Sequence, residues 1–87
     1  MWLVRILSGP QSGQTFMVND GSYTVGRSPD CAIIIPNSGV SKQHLKLDIF
    51  GGKIIITDLG SSNGTFINGI QVQTQKVNEQ DQIQIHE

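Results

Sequence analysis

Apolar and polar residues alternate along "QHLKLDIF", residues 43 to 50, where Leu45, Leu47 and Ile49 are interleaved with Lys46 and Asp48. That is the period of a strand with one buried face, because successive side chains leave an extended backbone on opposite sides. "QIQIHE" at the end of the chain repeats the pattern with Ile83 and Ile85. "CAIII" and "KIIITDL" are short apolar runs rich in β-branched residues, which suit strands covered on both faces or lying at a sandwich core. No segment carries the periodicity of a helix.

Turn residues separate these runs at close intervals: "SGPQSG" at 8 to 13, "NDG" at 19 to 21, "RSPD" at 27 to 30, "PNSG" at 36 to 39, and "GG" at 51 and 52. Short strands broken this often predict an all-β sandwich or barrel. Asn68-Gly69, between "TFI" and "IQV", is the strongest hairpin signal, since both central residues of a type I′ turn take positive φ. A second pair, Asn63-Gly64, lies five residues earlier and has no evident structural task.

Length and composition narrow the picture. Eighty-seven residues make one small domain, 1–87, and 37% hydrophobic against 15% charged residues is the balance of a folded globular chain. Cys31 is the single cysteine, so no internal disulfide can form. No apolar run approaches the roughly 18 residues of a membrane span. "MWLVRIL" is too short, too interrupted by Arg5 and too poor in small residues to be a signal peptide. A cytoplasmic location is expected, either free or as the cytoplasmic part of a membrane protein. The net charge is -1 and the six basic residues are spread singly, which predicts no nucleic-acid partner and no direct membrane contact by this domain. His44, His86 and Cys31 lie too far apart in sequence to suggest a metal site, and nothing calls for a cofactor.

Candidate chemistry falls in three loops, "GRSPD" at 26 to 30, "GVSKQH" at 39 to 44 and "GSSNG" at 60 to 64. Arg27 follows a strand directly, and a guanidinium placed there can grip a phosphate or carboxylate through two parallel hydrogen bonds; taken alone it is an ordinary surface arginine. Ser41 offers a hydroxyl and Lys42 a point charge, both suited to phosphate oxygens. A hydrolytic triad of Ser41, His44 and Asp58 is disfavoured, because no nucleophile elbow surrounds the serine. A nucleotide-binding P-loop at Gly60 to Gly64 is disfavoured as well, because Thr65 stands where that motif needs lysine. No catalytic residue is assigned and the chain is read as a non-enzyme.

In order, "VGR", "SKQH" and "DLGSSNGTFING" resemble the forkhead-associated (FHA) domain, a module that binds phosphothreonine peptides, and the resemblance covers nearly the whole chain. It implies an FHA-type β-sandwich of two antiparallel sheets. It also implies that Arg27, Ser41, Lys42 and Ser62 meet the phosphate and that Asn63 bonds the peptide backbone. Gly26 would let the chain turn so that Arg27 faces the phosphate. His44 would brace the loop of Ser41, Gly64 and Thr65 would hold the shape of the Asn63 loop, and Asn68 would form the following hairpin. The physical demand is modest, since a phosphate brings a charge of about -1.5 to -2 and three acceptor oxygens that prepositioned donors can capture without a catalyst.

The resemblance departs from the family pattern after "NEQDQIQI", where a glycine and one more strand are expected but His86-Glu87 follow. The final strand is therefore expected to be missing or shortened, and the chain to be a fragment of a longer protein. The first strand, "WLVRIL", would then offer an open edge for self-association. The leading functional expectation is a phosphothreonine-dependent interaction module in Ser/Thr-kinase signalling, with a phosphothreonine-containing protein or peptide as partner. The alternative is a phosphate-independent FHA-like scaffold of a type III secretion inner-membrane ring protein.

Overall fold

The computed structural model describes residues 2–5, 13–78 and 81–84, and among them there is no helix. Ten strands follow the chain: β1 (Trp2–Arg5), β2 (Thr15–Val18), β3 (Gly21–Gly26), β4 (Ile33–Ile34), β5 (Leu45–Phe50), β6 (Lys53–Asp58), β7 (Phe66–Ile67), β8 (Ile70–Gln71), β9 (Thr74–Val77) and β10 (Ile83–Gln84). One layer is a five-stranded sheet in the order β4-β3-β5-β6-β9. Its pairs are antiparallel except β3 with β4. The facing layer comes in two pieces, a β1-β2 pair and a three-stranded β10-β7-β8 ladder, and among the described residues no ladder joins them. The fold is the all-β sandwich that the periodicity predicts.

The core is aliphatic and lies where alternation places it. Leu45, Leu47 and Ile49 of β5 and Ile54 and Ile56 of β6 are buried against Val18 and Ile67 from the facing layer. Burying such side chains contributes about 1.5–3 kcal/mol each, the main favourable term in a domain this small.

Three local outcomes differ from the sequence pattern. "CAIII" yields only the two-residue β4, because Pro36 has no N–H with which to extend the ladder. β9 carries no apolar alternation, since it is an edge strand exposed at Thr74, Gln75 and Lys76, and only its register on β6 reveals it. β2 likewise had no clear signal, with Met17 64% exposed between Phe16 and the buried Val18. The expectation for a closing strand falls on residues 85–87, outside the described residues.

Candidate functional site

The loops 26–28, 39–44 and 58–65 are laced together at one end of the five-stranded sheet. The Arg27 N–H donates to the Ser41 carbonyl at 3.0 Å, and the Ser28 N–H donates to the Lys42 carbonyl at 3.1 Å. This short ladder brings backbone onto Gly26, where a Cβ would lie 2.3 Å from the Lys42 oxygen. Gly26 is absent from the positive-φ residues, so it is required for close approach. That corrects the expectation that it serves to turn the chain.

Arg27 is exposed, and its Nε–H donates to the Val40 carbonyl at 3.1 Å. The bond aims the guanidinium while leaving its terminal nitrogens open. Among the described residues the single ion pair is Lys46 with Asp48, so no carboxylate caps Arg27. Lys42 is also exposed; its carbonyl accepts from Ser28 and from the buried Cys31 thiol at 3.1 Å, which fixes the backbone and frees the ammonium.

Ser41 Oγ accepts the Ser62 N–H at 3.0 Å. The oxygen's own proton therefore remains available to donate outward. The Ser41 N–H donates to His44 Nδ1 at 3.1 Å, and His44 Nε2 lies 2.8 Å from the Gly64 carbonyl. An acceptor at Nδ1 and a carbonyl at Nε2 together specify the neutral ring with its proton on Nε2. His44 is 0% exposed and joins the Ser41 loop to the Gly64 loop. The hydroxyl of Ser41 engages a backbone amide and not the imidazole, so the geometry of a Ser-His nucleophile pair is not formed.

Asn63 has more to do than the sequence showed. Its Nδ2 donates to the Gly39 carbonyl at 2.9 Å, 24 residues away, and so ties the second loop to the third. With Nδ2 committed, its Oδ1 is presented as an acceptor. Ser62 is exposed, and only its backbone has a protein partner. Gly64 takes φ +88°, and a Cβ there would lie 2.8 Å from Gln71 Nε2 and 3.2 Å from the Phe66 ring.

Beneath this loop sits Asp58, which sequence reasoning weighed only as a triad member. Its Oδ2 accepts the N–H groups of Gly60 at 3.0 Å and Ser61 at 3.1 Å, while Oδ1 accepts the hydroxyls of Ser61 and Thr65. Ser61 Oγ in turn accepts the Gly64 N–H at 3.0 Å. Burial pushes the Asp58 carboxyl up, but the hydrogen bonds from Ser61, Thr65 and Gly60 outweigh it and hold the carboxyl below its ordinary 3.8. The signal was present in "DLGS", because an aspartate commonly accepts the amides two and three residues on.

The structure thus brings Arg27, Ser41, Lys42, Ser62 and Asn63 into one cluster of loops, supported by Gly26, His44, Gly64 and Thr65. Asn68 stands apart, at φ 52° in the β7-β8 turn. An aimed guanidinium, a free hydroxyl proton and a fixed carboxamide, with the free Lys42 ammonium on the same loops, suit an anionic group carried on a polypeptide.

Residues 23–86 match the family model described as FHA domain. The glycogen accumulation regulator GarA of Mycolicibacterium smegmatis is 31% identical over 83 residues, which are 95% of this chain and 52% of the relative. The chain spans about half the length of that relative. Among solved structures, the FhaA FHA domain complexed with the intracellular domain of Rv3910 is similar at a TM-score of 0.81 and 34% identity, covering 87% of this chain and 84% of that one. Mycobacterium tuberculosis EmbR in complex with a low affinity phosphopeptide is similar at a TM-score of 0.79 and 28% identity, covering 85% of this chain and 20% of that one.

Proposed function

The chain belongs to the FHA family, and we propose that it is a phosphothreonine-dependent interaction module that links a partner to the output of a Ser/Thr kinase. The observation that carries this reading is the open guanidinium of Arg27, held by Val40 and uncapped by any carboxylate among the described residues, beside the free hydroxyl proton of Ser41. In this reading Arg27 supplies the main counter-charge and Lys42 a second cation. Ser41 donates to a phosphate oxygen, Ser62 lines the same rim, and Asn63 accepts from the peptide backbone through Oδ1. A relative of similar fold, 28% identical, that is solved with a phosphopeptide supports it. Recognition of this kind requires neither a cofactor nor a nucleophile.

The test is isothermal titration of one threonine peptide in phosphorylated and unphosphorylated forms against the native chain and Arg27→Ala. Removing the counter-charge from a partly desolvated phosphate is expected to cost about 2–5 kcal/mol of binding. The melting temperature should hardly move, because the lost contact is a single part-buried hydrogen bond of an otherwise exposed side chain. Equal affinity for the two peptide forms would refute the reading.

A further inference from the structure

The four lysines are scattered through the sequence at positions 42, 46, 53 and 76, yet the sheet register collects them on one side of the molecule. In β5 the buried residues are Leu45, Leu47 and Ile49, so Lys46, Asp48 and Phe50 face outward. Directly opposed residues in a ladder share a face. Lys53, opposite Phe50, and Lys76, opposite Ile55, therefore stand on that same outer surface. The 41–42 loop crosses its upper end, because Lys42 lies where an outward-pointing Cβ on Gly26 would be. The proposed phosphate notch and the outer face of the sheet are thus continuous.

Two carboxylates oppose these cations. Asp48 accepts from Ser22 Oγ and pairs with Lys46 at 3.5 Å, and Asp20, at the lower rim, accepts the Gly51 N–H at 3.3 Å. Lys42, Lys53 and Lys76 have no ion-pair partner among the described residues. Among these groups lies a shallow cavity of about 460 Å³, lined by Asp20, Ser22 and Asp48 as well as by Phe50, 51% exposed, and the half-buried Ile55. Lys53 and Lys76, opposite Phe50 and Ile55 in the ladder, flank its apolar part. Unpaired Lys53 and Lys76 beside the apolar part of the depression match a polypeptide that seats one apolar side chain there and turns its carboxylates toward the lysines, away from Asp20 and Asp48. A uniformly anionic backbone or headgroup layer would meet Asp48 and Asp20 with nothing to place in the depression.

We propose that this outer sheet face is a second contact surface for the phosphorylated partner, and that it receives an acidic stretch of the same polypeptide with one apolar side chain seated at Phe50 and Ile55. The inference rests on the phosphopeptide reading of the notch. Phe50, at the far end of β5, is eight residues beyond Lys42, so an extension of about eight residues, at up to ~3.3 Å each, reaches from the notch to the depression.

The test is calorimetry at low and moderate salt with three peptides that share one phosphothreonine core. One is the core alone; the others carry an acidic extension with one leucine on its N-terminal or C-terminal side. One extension should tighten binding about threefold to tenfold, the scale of a few exposed charge contacts, and the gain should shrink with salt. Lys46→Gln/Lys53→Gln/Lys76→Gln should abolish that gain and leave core affinity unchanged. No gain from either extension, or a gain that survives the triple substitution, would overturn the proposal while leaving the phosphate reading intact. It would be overturned equally if the acidic extensions did nothing but the triple variant lost attachment to phosphatidylserine vesicles or RNA. Failure of the core peptide to bind would instead refute the phosphate reading, and this proposal with it.

Discussion

Asn63-Gly64 and Asn68-Gly69 are the same dipeptide five residues apart, and they are held in opposite ways. At the second pair both residues are left-handed, with φ 52° and 85°, and close the two-residue turn between β7 and β8. The Asn68 carboxamide stays near its own ladder, donating to Asp81 at 3.0 Å and accepting the Gln82 N–H at 2.9 Å. At the first pair only Gly64 is left-handed. The Asn63 carboxamide reaches across to another loop, and Gly64 is buried against Phe66 and Gln71. Each region also leans on a carboxylate, buried Asp58 under the first and more open Asp81 beside the second. A turn dipeptide fixes only local backbone. What its amide does depends on which groups the rest of the fold delivers to it.

The comparison breaks most sharply at the carboxylates. Asp58→Ala removes an acceptor that serves four donors, leaving the buried Thr65 hydroxyl and the Ser61 and Gly60 amides without a partner. It should cost about 3 kcal/mol of stability in denaturant unfolding and also abolish phosphopeptide binding. Asp81→Ala should lower the melting temperature slightly and leave binding unchanged. If the two variants behaved alike, the contrast between the loops would be wrong.

The glycines come next. Gly64→Ala combines strained φ with a Cβ 2.8 Å from Gln71 Nε2 and 3.2 Å from Phe66, and about 2–3 kcal/mol of destabilisation is expected. Gly69→Ala meets the same backbone strain in open space, so about 1 kcal/mol is expected from parallel thermal melts.

Substituting the asparagines should separate function from stability. Asn63→Ala is expected to weaken phosphopeptide binding by about 1–2 kcal/mol while changing stability by less than ~1 kcal/mol, since its bond to Gly39 is exposed. Asn68→Ala should do the reverse, losing roughly 1 kcal/mol of stability with its turn preference and two side-chain bonds, and sparing affinity.

The smallest effect is expected in acid. The Asp58 carboxyl is held below its unfolded value of 3.8, so the folded state binds fewer protons than the unfolded chain in that range. Its stabilising contribution is therefore complete above about pH 5 and is lost as pH falls through the native value. Asp81 is lowered in the same direction by the Asn78 amide and the Asn68 carboxamide, but in a more exposed setting. Melts between pH 6 and 2 should flatten more in Asp58→Asn than in Asp81→Asn.

Local pattern carried most of the sandwich. β5 was legible because alternation is the direct image of a one-sided strand, β6 because a β-branched apolar run suits a strand, and Asn68-Gly69 because a type I′ turn depends on nothing beyond its own two residues. The edge strand β9 was hidden, as a solvated strand needs no apolar code. In the site, Arg27, Ser41 and Asn63 could be identified from ordered motifs, but the reason for Gly26 could not, because the contact that demands it comes from Lys42, sixteen positions on. The bridge from Asn63 to Gly39 and the gathering of the lysines are likewise products of register, which no short window contains.

The most direct test of the central claim is an amide and guanidinium NMR titration of the native chain with a phosphothreonine peptide. Shifts should concentrate at Arg27 Nε, at the amides of Ser41 and Lys42 and at Ser62 to Gly64, leave Asn68 and Gly69 unmoved, and vanish with the unphosphorylated peptide. Shifts centred on the β7-β8 turn, or equal shifts with both peptides, would contradict the account.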